Sequence, residues 1–479
     1  MKIGIVAEGS YPYVSGGVSS WIHMLIESMP QHKFEIIAIS DKARKKSDYK
    51  YSLPFNVCGI TNINLNEVST RLVRKPQLLK NEQEKIREWL ASNSFREDVL
   101  MLLGDRRKVG TSEQFLNKFP LFWSFIVDTY QKQYNNSSFL DFYSMWKSML
   151  SPVLSLLQQD YPKVDIIHSV STGYAGLVSS YIKATQQIPF ILTEHGMYSR
   201  EREEEILKSN WVKDDFKETW IQFFYYLSKI AYYHAEDIIT LFKRNSQFQE
   251  LSGAPREKLK IIPNGVHYHK YAAIKREKPD RKLRIGAIVR VVPIKDIKTM
   301  IQAAKYLKED NIPIQLFIMG PVEEDEEYTL ECEQLIVTLG LEEEVVITGK
   351  VNITDYLPSF DVCVLSSISE GQPLAVLEGM AAAIPWVVTD VGCCAELIKG
   401  HHSSEQAGFV VPPVNPRKMA EKLKWFYRNQ EKATIFGLNG QKRVKEFYQI
   451  DQMIYEYSKL YQERGQEIGR NRISPPGVV

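Results

Sequence analysis

Arg290 and Lys295 stand five residues apart in Gly286-Ala287-Ile288-Val289-Arg290-Val291-Val292-Pro293-Ile294-Lys295-Asp296, where an apolar run gives way to a helix-like stretch. A planar Arg fork beside a Lys point charge suits a diphosphate, although the spacing equally allows two solvated loop charges. Glu370 and Glu378 lie eight residues apart in Ser367-Ile368-Ser369-Glu370-Gly371-Gln372-Pro373-Leu374-Ala375-Val376-Leu377-Glu378-Gly379. Pro373 marks a helix start, so Glu370 falls in the turn before it and Glu378 within an otherwise apolar helix. A buried carboxylate there needs a partner, which sugar or ribose hydroxyls would supply; an exposed stripe of the helix is the alternative. Nearer the N-terminus, Gly16-Gly17 precedes Val18-Ser19-Ser20. Adjacent glycines let a backbone approach a phosphate or sugar, with Ser19 or Ser20 as a helix cap, or they form an ordinary tight turn. His195, in Thr193-Glu194-His195-Gly196-Met197-Tyr198, can donate to a substrate hydroxyl or serve as a structural histidine.

The elements that must position these residues alternate between strand and helix. Strands are expected at Lys2–Ala7, Phe34–Ser40, Val164–Val170, Pro189–Thr193, Asp237–Phe242 and Leu259–Pro263, with helices at Val18–Met29, Gly173–Gln186, Glu201–Ala235 and Arg244–Ser252. The stretch from about Asn64 to Tyr161 reads as a helical insertion, with Gln83–Ser92 and Phe139–Leu157 as its clearest segments. The polar segment Ala272–Lys282 reads as a linker. A second alternation follows, with strands at Leu283–Val289, Ile314–Met319, Val345–Gly349, Asp361–Ser366, Pro385–Thr389 and Gly408–Val411. Helices fit between them at Ile297–Glu309, Glu326–Leu339, Pro373–Ala383 and Pro416–Asn429, and a last helix covers about Lys445–Arg464. Repeated βα units imply two doubly wound parallel-sheet domains facing one another, residues 1–275 and 276–445. Residues 446–479 would pack back on the first domain, the tail Ser474-Pro475-Pro476-Gly477 fraying. Ligands of such sheets bind at strand carboxyl ends, so the loops after the strands, which carry Arg290, Lys295, Glu370 and His195, are where a ligand is expected.

Composition bounds the rest. In 479 residues, 44% are hydrophobic and 25% charged, as in ordinary folded proteins. Lys+Arg 60 against Asp+Glu 58 argues against nucleic-acid binding through global charge. Five cysteines without a C-x-x-C pair suggest neither a zinc site nor a disulfide framework, and a reduced, cytoplasmic compartment is expected. The N-terminal apolar run is too short for a signal peptide, and no run reaches the ~18 apolar residues of a membrane span. The aromatic-rich stretch Trp211–Tyr233 has rings all round the helix, which favours a buried core helix over a sugar-stacking or interfacial one.

Taken together, Glu370-x7-Glu378, Arg290-x4-Lys295 and Ile262-Pro263-Asn264-Gly265-Val266 resemble glycosyltransferase family 4, of GT-B architecture. The opening Glu8-Gly9-Ser10-Tyr11-Pro12-Tyr13-Val14-Ser15-Gly16-Gly17-Val18-Ser19-Ser20-Trp21 is similar to the PelF subgroup of Pel exopolysaccharide biosynthesis. So are the His195 segment and Arg200-Glu201-Arg202-Glu203.

The resemblance implies an α/β GT-B fold, two Rossmann-like domains around a central cleft. It implies a retaining transfer of hexose from a UDP-sugar, UDP-glucose-like, to a glycan acceptor. Arg290 and Lys295 would hold the diphosphate, Glu370 the hexose hydroxyls near the amides of Gln372 and Leu374, and Glu378 the ribose. His195 would contact the hexose near its reacting carbon, Gly16 and Gly17 would face diphosphate and acceptor, and uracil would pack near Thr348, Gly349 and Lys350. No metal or other cofactor is expected, and Glu323-Glu324-Asp325-Glu326-Glu327 reads as a solvated face. Membrane-embedded polysaccharide export or synthase proteins are implied partners, docking the chain at the inner membrane face. A nucleotide-sugar epimerase and a non-catalytic UDP-sugar-binding subunit are the competing readings. Two departures stand out: His267 where the family usually has Asp, and Asp296 where it usually has Gly, the latter expected to cap the next helix.

Overall fold

The computed structural model describes residues 1–66, 73, 76–92, 94–277, 281–400 and 402–473. Among the described residues, thirteen strands form two parallel sheets. The first holds β1 (Lys2–Glu8), β2 (Lys33–Ser40), β3 (Val57–Asn64), β4 (Ile166–Ser169), β5 (Phe190–Glu194), β6 (Asp237–Thr240) and β7 (Leu259–Ile261), in the order β3-β2-β1-β4-β5-β6-β7. The second holds β8 (Leu283–Ile288), β9 (Ile314–Met319), β10 (Val345–Gly349), β11 (Val362–Leu365), β12 (Trp386–Thr389) and β13 (Gly408–Val411), in the order β10-β9-β8-β11-β12-β13. Central strands β4, β5, β6, β11 and β12 are buried along their whole length, as a sheet covered on both faces requires. Each sheet is wound outward from one reversal of strand order, between β1 and β4 in the first and between β8 and β11 in the second. Two Rossmann-like domains result.

The chain divides into two compact units. The first comprises Met1–Thr240, Asn245–Ile261 and Tyr457–Val479, and the second Leu241–Arg244 and Ile262–Glu456. The break therefore comes before the polar segment that marks 275/276 in the sequence. Val266 pairs with Gln449 and Tyr271 donates to Glu378, and these bonds tie residues 262–275 into the second unit. Likewise the second unit extends past 445 to Glu456, since the Ile450 amide bonds to Val266. From Tyr457 the last helix (Ile450–Ile473) belongs to the first unit: Tyr461 bonds His168 at 2.7 Å, and Arg464 grips buried Asp237 with two bonds. The tail Ser474–Gly477 and linker residues 278–280 lie outside the described residues.

Between β3 and β4 the insertion contains the helices Lys80–Leu90, Glu97–Gly104, Ser112–Lys118, Pro120–Thr129 and Phe139–Leu157. Their apolar faces share one core with the helices Gly173–Gln186 and Asp214–His234. The latter buries Trp220, Phe223, Phe224, Tyr226 and Tyr232, so the aromatic stretch is chiefly core, although Trp211 and Tyr233 remain exposed. The long helical region expected over Glu201–Ala235 is made of two helices, Tyr198–Lys208 and Asp214–His234. Among the described residues no helix is long and apolar enough to cross a membrane.

Candidate functional site

In the second unit the reversal of strand order lies between the loops that follow β8 and β11. The β8 loop carries Arg290 and Lys295, and the β11 loop carries Glu370 and Gln372. These two loops meet: Lys295 Nζ lies 2.6 Å from Glu370 Oε1, with side chains 17% and 9% exposed. The same carboxylate oxygen accepts from the Ser367 hydroxyl at 2.5 Å. Ser366 donates to the carbonyls of Lys295 and Asp296, which locks the β8 loop onto the end of β11. Behind Glu370 stands Gly392, in the left-handed region at φ 52°, where a Cβ would overlap the Glu370 carbonyl oxygen. Lys295 is therefore not a free loop charge. It is held in place by a carboxylate that is itself positioned by three loops.

Arg290 is the more exposed cation and pairs with Glu324 at 2.5 Å. The acidic run 323–327 is thus more than a solvated face. Asp325 caps the helix Glu326–Thr338 by accepting from the Tyr328 amide, Glu326 and Glu327 fill its first turn, and Glu324 holds Arg290. Asp296 caps the helix Ile297–Glu309 through Thr299, as expected, and its left-handed φ of 48° explains why a glycine suits this position. Its second carboxylate oxygen is buried without a hydrogen-bond partner among the described residues, and burial raises its pKa. His267 occupies the N-cap of the short helix Tyr268–Ala272 without a side-chain cap bond, the position where an Asp would cap.

Glu378 is half-buried in the helix Leu374–Ala381, so it lies on neither a solvated stripe nor a dry core face. Tyr271 donates to one of its oxygens at 2.8 Å, a protein partner that the sequence spacing does not reveal. Burial raises the pKa of Glu378. Gln372 turns its side chain inward, accepting from the Asn264 amide at 2.7 Å and fixing the Ile262–Val266 turn. The helix that begins at Leu374 has no side-chain cap, which leaves the first-turn amides without one. Thr348 and Gly349 end β10, the edge strand; Thr348 donates to the Ile318 carbonyl at 3.3 Å, and Lys350 is exposed.

In the first unit, Gly16 caps the helix Gly17–Glu27 with no side-chain bond. Neither Ser19 nor Ser20 caps it: Ser19 is buried, and Ser20 bonds the Tyr51 hydroxyl. Gly16 is extended, and at both glycines a Cβ would meet no atom within 4 Å. The fold itself does not demand glycine at either position.

His195 follows β5, half-buried, with Trp21 edge-on at 4.7 Å between ring centroids. Its Nε2 is buried without a hydrogen-bond partner among the described residues, and burial pushes its pKa down to about 4, so the ring is neutral at pH 7. Glu194, just before it, accepts from Thr172, Tyr232 and Gln249, and burial pushes it up to about 7. At the end of β1, Glu8 accepts from the Tyr174 and Ala175 amides and the Tyr198 hydroxyl. In the second unit Tyr271 supports Glu378 from 107 residues away, while Ser367 supports Glu370 from only three; in the first unit Glu8 and Glu194 stand at the ends of β1 and β5, where the strand pattern offers a signal. Among the described residues no group of three or more His, Cys, Asp or Glu side chains is arranged to hold a metal ion.

Residues 1–257 match the family described as a domain of unknown function (DUF3492), and residues 272–443 match glycosyl transferases group 1. The chain is similar to the Escherichia coli UDP-Gal:alpha-D-GlcNAc-diphosphoundecaprenol alpha-1,3-galactosyltransferase, 29% identical over 286 residues. That match covers 55% of this chain and 66% of the relative, just short of two thirds of its length. A putative teichuronic acid biosynthesis glycosyltransferase of Bacillus subtilis, TuaC, is 24% identical over 298 residues, 59% of this chain and 67% of that one. Among solved structures, Anabaena HepE in complex with UDP superposes with a TM-score of 0.61 at 14% identity, covering 97% of this chain and 100% of that one. Sucrose-phosphate synthase of Thermosynechococcus elongatus gives 0.60 at 14% identity, covering 96% and 98%. At such identities the likeness is one of fold, the GT-B pair of Rossmann-like domains. The chain belongs to the DUF3492 family, whose match spans more than half of its length, and its second half is a group 1 glycosyltransferase domain.

Proposed function

We propose that the chain is a retaining hexosyltransferase that moves a hexose from a UDP-sugar, UDP-glucose first among them, to a growing glycan of the Pel exopolysaccharide type. The observation that carries this reading is the Lys295–Glu370 pair at the strand-order reversal of a group 1 glycosyltransferase domain. An ammonium and a carboxylate held together there match the two ends of a nucleotide-sugar donor: Lys295 turns to the diphosphate and Glu370 to the hexose hydroxyls. Arg290 exchanges Glu324 for the phosphates. The two cations stabilise charge developing on the leaving UDP, so no metal is required. Glu378, with Tyr271 on one oxygen, receives the ribose hydroxyls. The backbone amides of Gln372 and Leu374 face the donor, and Thr348, Gly349 and Lys350 flank the uracil.

From the first unit, the unpaired Nε2 of neutral His195 finds its partner in a hexose hydroxyl. Gly16 and Gly17, which the fold does not require, give room for the diphosphate and acceptor. The acceptor hydroxyl attacks the anomeric carbon from the leaving-group side. The new glycosidic C–O bond forms as the sugar–phosphate C–O bond breaks, and the hydroxyl proton passes to the departing phosphate. HepE crystallised with UDP and with UDP-glucose, and the Escherichia coli relative named for UDP-Gal, support the donor class. Resemblance of the opening segment to PelF supports the Pel-type acceptor, a cytoplasmic place of action, and a membrane-embedded synthase or export protein as partner.

The test is UDP release from purified protein given UDP-glucose, UDP-galactose and UDP-N-acetylglucosamine, with and without EDTA. Release that survives EDTA and is abolished by Lys295→Ala and by Glu370→Ala is expected. Loss of activity in EDTA, restored by Mg²⁺ or Mn²⁺, would overturn metal independence. Epimerised sugar without transfer, or binding without turnover, would overturn the transferase reading.

A further inference from the structure

Six consecutive charges, Arg200-Glu201-Arg202-Glu203-Glu204-Glu205, lie in the helix Tyr198–Lys208, which begins three residues after His195. Five of the six are paired within the first unit: Arg200 with Glu204 at 3.5 Å, Arg202 with Glu205 at 2.6 Å, and Glu203 with the Tyr225 hydroxyl, which donates to it at 2.7 Å. Glu201 is the exception. It has neither a hydrogen bond nor an ion pair among the described residues, and it is exposed, so a ligand can reach it.

A glycine sets the place of this carboxylate. A Cβ on Gly196, the residue after His195, would overlap Glu201 Oε1 and stand 3.3 Å from its Cδ and 3.8 Å from its Oε2. Those are the three nearest atoms it would meet, and Gly196 is not in the left-handed region. What forbids a side chain there is the Glu201 carboxylate lying across the His195 loop, rather than the backbone conformation. Desolvation raises the Glu201 pKa above the ordinary carboxylate value, against the pull of Arg202, so the group stands in a recess.

An unpaired carboxylate in a recess accepts and never donates, so its ligand must bring hydrogen-bond donors. Among the described residues no group of three or more His, Cys, Asp or Glu side chains could hold a metal ion, which leaves hydroxyls as the fitting donors. Two carboxylate oxygens can serve two neighbouring hydroxyls of a pyranose. The donor hexose already has a carboxylate in Glu370 of the second unit, whereas Glu201 belongs to the first. We infer that Glu201 binds the glycan acceptor, holding hydroxyls of its terminal sugar beside His195. The inference rests on the proposed transfer reaction.

The experiment compares two rates of the purified full chain with whichever of UDP-glucose, UDP-galactose and UDP-N-acetylglucosamine it turns over. One is hydrolysis, read as UDP release with water as the acceptor. The other is elongation of cellotetraose or chitotetraose, read by mass spectrometry. In Glu201→Ala, elongation should fall about 10- to 100-fold, the worth of a hydrogen bond to a charged group, while hydrolysis and UDP-sugar affinity stay at the wild-type value. Gly196→Ala, which pushes the carboxylate aside, should lose elongation in the same way with an unchanged melting temperature. Glu204→Gln, on the same helix, should elongate as the wild type does. A wild type that turns over no UDP-sugar overturns the transferase reading, and one that hydrolyses but elongates neither oligosaccharide overturns the glycan acceptor on which Glu201 depends. Where the wild type elongates, unchanged elongation in Glu201→Ala or Gly196→Ala, or an equal fall in hydrolysis, would overturn the role of Glu201 alone.

Discussion

Breaking the Lys295–Glu370 pair from each side in turn should have unequal consequences. In Lys295→Met, Glu370 keeps the Ser367 hydroxyl but loses its cation while only 9% exposed. A fully buried carboxylate so stranded costs about 3–5 kcal/mol; with a loop site open at one end, about 2 kcal/mol is expected. In Glu370→Gln, Lys295 can extend its longer chain to water, and about 1 kcal/mol suffices. The double variant strands nothing and should cost no more than about 1 kcal/mol, which leaves a coupling of about 2 kcal/mol. At roughly 2–4 °C per kcal/mol for a domain of this size, Lys295→Met should melt about 4–8 °C lower, and the double variant should recover at least about half of that loss. Scanning calorimetry on the four proteins reads this directly. The pair also sets ligand preference. Glu370→Gln frees Lys295, so UDP alone should bind as tightly as in the wild type or tighter, whereas UDP-glucose should bind more weakly. Additive melting shifts, or parallel loss of UDP and UDP-glucose affinity in Glu370→Gln, would mean that the two side chains act independently.

Gly392→Ala should be costly, since the residue is left-handed and its Cβ would overlap the Glu370 carbonyl. About 1–2 kcal/mol from conformation alone is expected, with a raised KM for the donor, checked by calorimetry and steady-state kinetics. Gly16→Ala and Gly17→Ala should leave the melting temperature unchanged and lower kcat/KM, because the space beside them is open in the folded chain. Equal losses of stability and activity there would mean a structural turn after all. Glu194 titrates near 7 when folded against the usual 4.5, so its contribution is fully present below 4.5 and is lost as pH rises to about 7, at most about 3 kcal/mol. His195 and His168, lowered to about 4 and about 3, act with the opposite sign, their contribution present above 6.5 and lost on acidification. Glu194→Gln isolates the first effect: its stability relative to wild type should improve between pH 5 and pH 8, and a flat difference would contradict the assignment.

Both sheets were largely legible because buried parallel strands are continuous apolar runs bounded by turn residues. The segments Ile314–Met319, Val345–Gly349, Gly173–Gln186, Ile297–Glu309 and Phe139–Leu157 match expectation residue for residue. β3 escaped because Val57–Asn64 is an edge strand, only partly buried, with a glycine and two asparagines in place of an apolar run. The helix Gln430–Phe447 escaped because its glycines argue against a helix. In the fold they allow close approach, Gly437 to the Ala383 carbonyl and Gly440 to Met380. In the site, the order of chemical groups was readable, since strand ends are where parallel sheets expose side chains. Their partners were not: Tyr271 lies 107 residues from Glu378, and Glu324 lies 34 from Arg290, distances that only the fold closes.

If the Lys295–Glu370 site transfers hexose from a UDP-sugar with retention, the product's anomeric configuration must match the donor's. ¹H and ³¹P NMR of purified protein with UDP-glucose and an oligosaccharide acceptor follows both halves of the reaction in one sample. UDP should appear in step with a new α-configured anomeric proton, in the presence of EDTA, and neither signal should appear with Lys295→Ala. A β-configured product, or UDP released by Lys295→Ala as fast as by the wild type, would contradict it.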